Sequence, residues 1–165
     1  MKFTSTTKGI ITGLLMVAIG LALAFQDEKE GTAPAWQYAG TVVYALGIVW
    51  SVVAYAAKNK DSRFGELFQQ GFRCFIVATL ILAVYTFAYW KANPQQIDKI
   101  IEASKQERIQ TAQDRTPAEI DQEAQQTRKY FIPFNISGMI FSNLLIGAVV
   151  TMATAGSLSL RNKNA

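Results

Sequence analysis

The sequence predicts an all-α integral membrane protein: a four-helix bundle with an interfacial helix before its third span and a polar helical hairpin between its third and fourth. Three observations carry that reading. Half of the 165 residues are apolar and only 17% are charged, against about 25% in ordinary soluble chains. The charges are badly mixed, so residues 9–25, 34–57, 74–90 and 130–156 hold no Asp, Glu, Lys or Arg. Those runs, of 17, 24, 17 and 27 residues, meet the roughly 17–25 residues a bilayer-crossing helix needs. A soluble four-helix bundle is the alternative, but its helices would each carry a polar face. These runs carry none.

The first run, "GIITGLLMVAIGLALAF", follows Lys2 and Lys8 and precedes "QDEKE". Basic start, apolar middle and Ala22-Leu23-Ala24 also mimic a signal peptide, but the run is long for a signal core. A retained span is therefore expected. Trp36 and Tyr38 open the second span, Tyr89 and Trp90 close the third, and Tyr130 opens the fourth. In an up-down chain those ends share one side, as an interfacial aromatic belt requires.

Orientation follows from the basic residues. With the N-terminus inside, the inner side holds Lys2, Lys8, Lys58, Lys60, Arg63, Arg73, Arg161 and Lys163, and the outer side holds Lys29 plus seven more in 91–129. The totals tie at eight. The 33 inner loop residues are denser in charge than the 47 outer ones, and Lys2 and Lys8 bias the first span, which usually dominates. Both termini are expected in the cytoplasm and 91–129 on the periplasmic side of a bacterial inner membrane.

The stretch "RFGELFQQGFRCF" adds the interfacial helix. At 100° per residue, Phe64, Phe68, Phe72 and Phe75 fall within about 80°, beside Leu67 and Gly71, with Glu66, Gln69, Gln70 and Arg73 opposite. Such a helix lies in the headgroup plane with its Phe face down. Glu66 and Arg73 are separated by roughly 10 Å along the axis, too far for a direct ion pair. An anchoring role competes with docking of a partner, and Gly65 and Gly71 favour a close approach.

The segment Phe64, Gly65, Glu66, Phe68, Gly71 and Phe72, followed by an apolar run ending in aromatic-Lys-x-Asn-Pro, resembles a domain-of-unknown-function family of small bacterial membrane proteins, numbered forty-one ninety-nine. The resemblance covers nearly the whole chain and implies four spans with a polar helical segment before the last. It implies no activity. It also points toward a polyprenyl-linked glycosyltransferase as a kind of partner.

The polar block 91–129 reads as two helices, about 94–112 and 117–130, joined at "DRT". Asn93 and Pro94 offer one start, and Thr116, Pro117 and Glu119 form a capping box for the other. Ile97, Ile100 and Ile101 line the first; Ile120, Ala124, Thr127 and Phe131 line the second. An antiparallel hairpin or a docking surface would use these stripes. The whole, residues 1–165, is expected as one membrane domain with 91–129 outside the lipid.

Within the spans, Gly9-x-x-x-Gly13, Gly47-x-x-x-Ser51 and Gly138-x-x-x-Ser142 are expected as helix seams. Asn143, Gly147, Thr151 and Thr154 share one face of the fourth span, where Asn143 needs protein partners in lipid. Pro133 is expected to bend that helix. Asn143, Thr151 and Thr154 are read as bundle-interior polar groups, serving as interhelical bonds or, less simply, lining a path.

Function narrows by exclusion. The chain has no histidine and one cysteine, Cys74, so Ser-His-Asp chemistry, a cysteine metal set and an internal disulfide are not expected, nor is any cofactor. The basic residues sit beside apolar runs rather than on one stripe, so nucleic acid is not an expected partner. The expected partners are the lipid bilayer and a protein, either another chain or a second copy. A membrane scaffold or accessory subunit without catalysis, supporting envelope assembly or polyprenyl-linked glycosyl transfer, is the first reading; an oligomeric small-solute transporter or channel is the alternative.

Overall fold

With no water in hydrocarbon, a spanning segment has to satisfy its backbone within itself, and the α-helix does so. The computed structural model describes residues 4–26, 38–111 and 116–163. They form five helices: α1 (Ser5–Gln26), α2 (Ala39–Ala56), α3 (Phe64–Ala92), α4 (Pro94–Thr111) and α5 (Pro117–Lys163). Four of them, α1, α2, α3 and α5, are long and apolar enough to cross a membrane. The chain is a multi-pass all-α protein, as expected, with no strand among the described residues. Lys2, Trp36, the charges at 27–30 and the Asp114–Arg115 joint lie outside the described residues.

Two boundaries differ from the sequence reading. Residues 64–75 do not form a helix of their own; they are the first three turns of the 29-residue α3. No proline interrupts them, and Leu67, Gly71, Cys74 and Phe75 are buried. Likewise the second hairpin helix and the fourth span are one helix of 47 residues, roughly 70 Å long at 1.5 Å per residue. It runs unbroken through Pro133, whose missing N–H removes one rung of the helical ladder.

The chain divides into two compact units, Met1–Ala83 with Ile140–Ala165, and Val84–Met139. In the first, α1, α2, α3 and α5 all contribute to the core. Met16, Tyr44, Ile48, Phe75 and Ala78 form one buried cluster, and Val52, Ala56, Leu67 and Ala155 a second. Lipid is as apolar as these side chains, so burial alone does not hold spans together; close approach does. Glycines supply it. A Cβ at Gly9 would lie 2.6 Å from the Cys74 carbonyl oxygen, and one at Gly13 would lie 3.1 Å from Ile81. Gly47 sits against Thr12, while Ser51 Oγ donates to the Gln70 carbonyl at 3.2 Å. Those two seams are where the spacing put them.

The third seam is not. Gly138 and Ser142 are exposed, and a Cβ at Gly138 would meet nothing within 4 Å. Gly71 and Gly147 do that work instead. A Cβ at Gly71 would lie 2.5 Å from Thr151 Cγ2, and one at Gly147 2.7 Å from the Phe75 ring. The i, i+4 spacing of small residues is present at both places; only the rotational phase of α5 decides which pair faces protein.

In the second unit α4 and the start of α5 form the expected antiparallel hairpin. Asp98 meets Arg128 at 2.9 Å and Lys105 meets Asp121 at 2.5 Å, so partners descend on one helix as they ascend on the other. Arg108 and Glu123 add a third pair. Exposed ion pairs add little stability; they fix register, while Ile97 and Ile120 are buried. The hydrogen bond to Asp121 holds the Lys105 ammonium above its ordinary value of 10.5. A raised pKa of this kind stabilises below that ordinary value, and the contribution fades as pH climbs through the raised one.

The capping box is present. Thr116 N donates to Glu119 Oε2 at 2.9 Å and Glu119 N to Thr116 Oγ1 at 3.4 Å. Asn93 behaves otherwise. Its side-chain N–H donates to the Tyr89 carbonyl at 2.9 Å, closing α3 behind it rather than capping α4, because the last carbonyls of a helix also need donors. Trp90 joins the hairpin base, donating to Asn135 Oδ1 at 3.2 Å and meeting Phe131 edge-on at 5.1 Å.

Replacing Gly71 by Ala drives a methyl into Thr151 and is expected to lower stability by about 1–3 kcal/mol. Gly138→Ala, with open space around it, is expected to change nothing or to gain up to about 1 kcal/mol of helix propensity. Denaturation of the detergent-solubilised protein followed by circular dichroism measures both.

Candidate functional site

The Phe64–Arg73 segment has a clear inside and outside. Leu67 and Gly71 face the core. Phe64 and Phe72 are 43% and 45% exposed, and Gly65, Glu66 and Arg73 are exposed with them. A Cβ at Gly65 would meet nothing within 4 Å, so of the two glycines only Gly71 makes a close approach. Phe64, Phe68, Phe72 and Phe75 follow one another as a ladder, with ring centroids 5.9, 6.2 and 5.1 Å apart. Phe68, half-buried, packs on the Leu67 cluster. The structure thus keeps the Phe stripe at the edge of the buried face rather than at its centre.

The polar side of the segment is less uniform than a helical wheel implies. Gln70 is half-buried and its Oε1 accepts from Ser5 Oγ at 2.5 Å. The helical wheel sets Gln70 opposite the Phe stripe with Glu66 and Arg73; that it turns toward α1 depends on where α1 lies, which no local pattern encodes.

The polar residues of the fourth span separate into different roles. The backbone carbonyl of Asn143 accepts from Tyr44 Oη at 2.9 Å. Because that bond takes the phenolic proton, Thr79 Oγ1, 3.0 Å away, is the donor to Tyr44. Thr154 Oγ1 donates back along its own helix to the Val150 carbonyl at 2.8 Å. Thr151 is fully buried, and its hydroxyl meets no hydrogen-bond partner among the described residues. Asn143, Thr151 and Thr154 do lie at or near the interior, but the largest buried polar group there is Tyr44. An alternation-free apolar run hides a tyrosine among its neighbours, and no signal in the sequence separated it from a belt residue.

A concave site lies where α1 begins. A cavity of about 240 Å³ is lined by Thr4, Ser5, Lys8, Tyr55, Lys58, Gln70 and Arg73, among others. Its described lining holds three cations and no carboxylate. Lys8 is 6% exposed, with its ammonium 5.4 Å from the Trp50 ring centroid, and the Lys58 charge lies near enough to repel it. Thr4 starts the helix: its Oγ1 accepts from Thr7 N at 3.2 Å and its carbonyl from Lys8 N at 3.0 Å. The first N–H groups of a helix have no intrahelical acceptor, and Ser5 and Thr6, in that turn, line the cavity. Lys8, Lys58 and Arg73 were legible one by one as membrane-edge anchors. That they share a cavity was not. Among the described residues no three carboxylate or thiol groups gather as a metal set.

The chain matches the sequence profile of a family described as "Protein of unknown function (DUF4199)" over residues 7–158. No curated protein and no solved structure matches it.

Tyr44→Phe removes the donor to Asn143 and the acceptor of Thr79. It is expected to destabilise the bundle by about 1–3 kcal/mol, the usual range when a buried hydrogen-bonding partner is left unsatisfied. Thr154→Val, whose hydroxyl serves only its own helix, is expected to be neutral in the same denaturation measurement.

Proposed function

The chain belongs to the DUF4199 family of proteins of unknown function, and from the way its spans satisfy one another we propose that it is a membrane-embedded scaffold or accessory subunit without catalytic activity. The observation that carries this reading is the use of span polar groups as internal bonds: Tyr44 to Asn143, Thr79 to Tyr44, Ser51 to Gln70. A conduction path needs polar groups turned toward a lumen; here they are turned toward neighbouring helices. The outward groups at the start of α3, Phe64, Glu66, Phe72 and Arg73, supply a mixed apolar and charged face of the kind that partners bury. The bilayer in question is the bacterial inner membrane, with both termini cytoplasmic and 91–129 periplasmic, as the density of basic residues favours. A protein working in envelope assembly or polyprenyl-linked glycosyl transfer is the partner this reading envisages.

The second reading, an oligomeric small-solute transporter or channel, has one observation in its favour: the buried Thr151 hydroxyl, which has no partner among the described residues.

Photo-crosslinkers at Glu66 and Phe72, compared with one at the exposed Leu145, test the first reading in native membranes. A discrete adduct is expected from the two α3 positions only. With the crosslinker at Phe72, Glu66→Ala with Arg73→Ala is expected to weaken the adduct at least about tenfold, or 1.4 kcal/mol, with helix content unchanged. Solute flux in proteoliposomes abolished by Thr151→Val would support the transporter instead.

A further inference from the structure

The structure carries a site of which the scaffold reading uses only Arg73. From the cavity at the start of α1 we infer that the protein binds a phosphate group presented at the membrane surface, held by Lys8, Lys58 and Arg73 with the α1 N-terminus and the Gln70 amide as neutral donors.

Four features lead there. The first is charge. Three cations from three different parts of the chain line one cavity whose described lining has no carboxylate. The second is the burial of Lys8. A lysine that merely anchors a span extends its ammonium to the headgroups, yet Lys8 is only 6% exposed. Its cation–π contact with Trp50 does not neutralise it, and Lys58 repels it. A buried cation with no counter-charge among the described residues is unfavourable; an anion in the cavity removes that penalty for Lys8 and relieves its repulsion by the exposed Lys58.

Donor geometry is the third feature. Thr4, Ser5 and Thr6 line the cavity at the start of a 22-residue helix, where unpaired N–H groups and the helix dipole favour anions. Ser5 occupies Gln70 Oε1, which leaves the Gln70 amide N–H groups as its contribution. Two lysines and an arginine suit a phosphate better than a carboxylate, since phosphate carries more charge and more acceptor oxygens to share among them. Depth is the fourth. The candidate spans of α1 and α2 begin at Ser5 and end at Ala56, so the cavity lies at span ends, where lipid phosphates reside.

The test uses the intact protein in phosphate-free detergent. Native mass spectrometry compares retention of phosphatidic acid with phosphatidylcholine, and titration calorimetry follows inorganic phosphate and pyrophosphate. Phosphatidic acid is expected to be retained at least about tenfold over phosphatidylcholine. Lys58→Glu and Arg73→Glu, both at exposed positions, are expected to abolish the preference while melting as the parent does, and Lys99→Glu on the hairpin is expected to leave it intact. Lys8→Ala is read only if its melting is also parental. Displacement of phosphatidic acid by inorganic phosphate identifies the bare phosphate as sufficient; retention that inorganic phosphate does not disturb identifies the lipid headgroup as the source. Equal retention of both lipids with no phosphate heat overturns the inference, as does a preference that survives both glutamate variants.

Discussion

Hydrocarbon removes the force that assembles soluble helices. A leucine leaving lipid for a neighbouring helix exchanges one apolar contact for another, so spans associate where their backbones can approach and where polar groups find each other. In this chain both conditions are met at the same few places. Gly9 and Gly13 admit α3, Gly47 admits Thr12, and Gly71 and Gly147 let α3 and α5 close on each other. Thr12 and Thr151 fill the space opposite Gly47 and Gly71, so small and medium side chains alternate across each seam. The bundle depends on those gaps staying empty of side chain.

The same seams carry the polar groups, and the medium explains why. A phenol or hydroxyl in lipid has no water to fall back on, so each has to be bonded inside or bear the penalty of burial. Tyr44 reaches across to Asn143 and Thr79, and Ser51 reaches the Gln70 backbone. Interior bonds of this kind specify register between helices more than they add stability. They also draw a division in the molecule. Deep in the bundle, polarity is neutral and, Thr151 apart, internally matched among the described residues; at the start of α1 it is cationic and unmatched among them. Matching argues for architecture, and its absence argues for a ligand.

What the sequence made legible follows from which physical signals are local. The four apolar runs, the capping box at Thr116–Glu119 and the stripes of the hairpin are each set by near neighbours along the chain, and all reappear among the described residues. Element boundaries were harder. Nothing between Arg63 and Trp90 stops a helix, so the amphipathic turns and the span are one α3; equally, no residue between Pro117 and Lys163 is a stop except Pro133, which a long helix tolerates. Non-local facts were not legible. Whether Gly138 or Gly147 faces protein is set by the rotation of α5, Gln70 is polar in either setting, and Lys8, Lys58 and Arg73 come from three different helices or their ends. Asn93 shows a subtler limit: its type predicts capping, but two helix ends compete for it and the one behind prevails.

The packing and the polar matching of the bundle both follow from α1, α2, α3 and α5 traversing lipid, and topology mapping tests this most directly. Reporters active on only one side of the membrane, fused at each terminus and inserted at Ala112, read the parity of the crossings. Three crossings before Ala112 and four in all predict that both termini report one side and Ala112 the other. All three reporting the same side would contradict the four-span account.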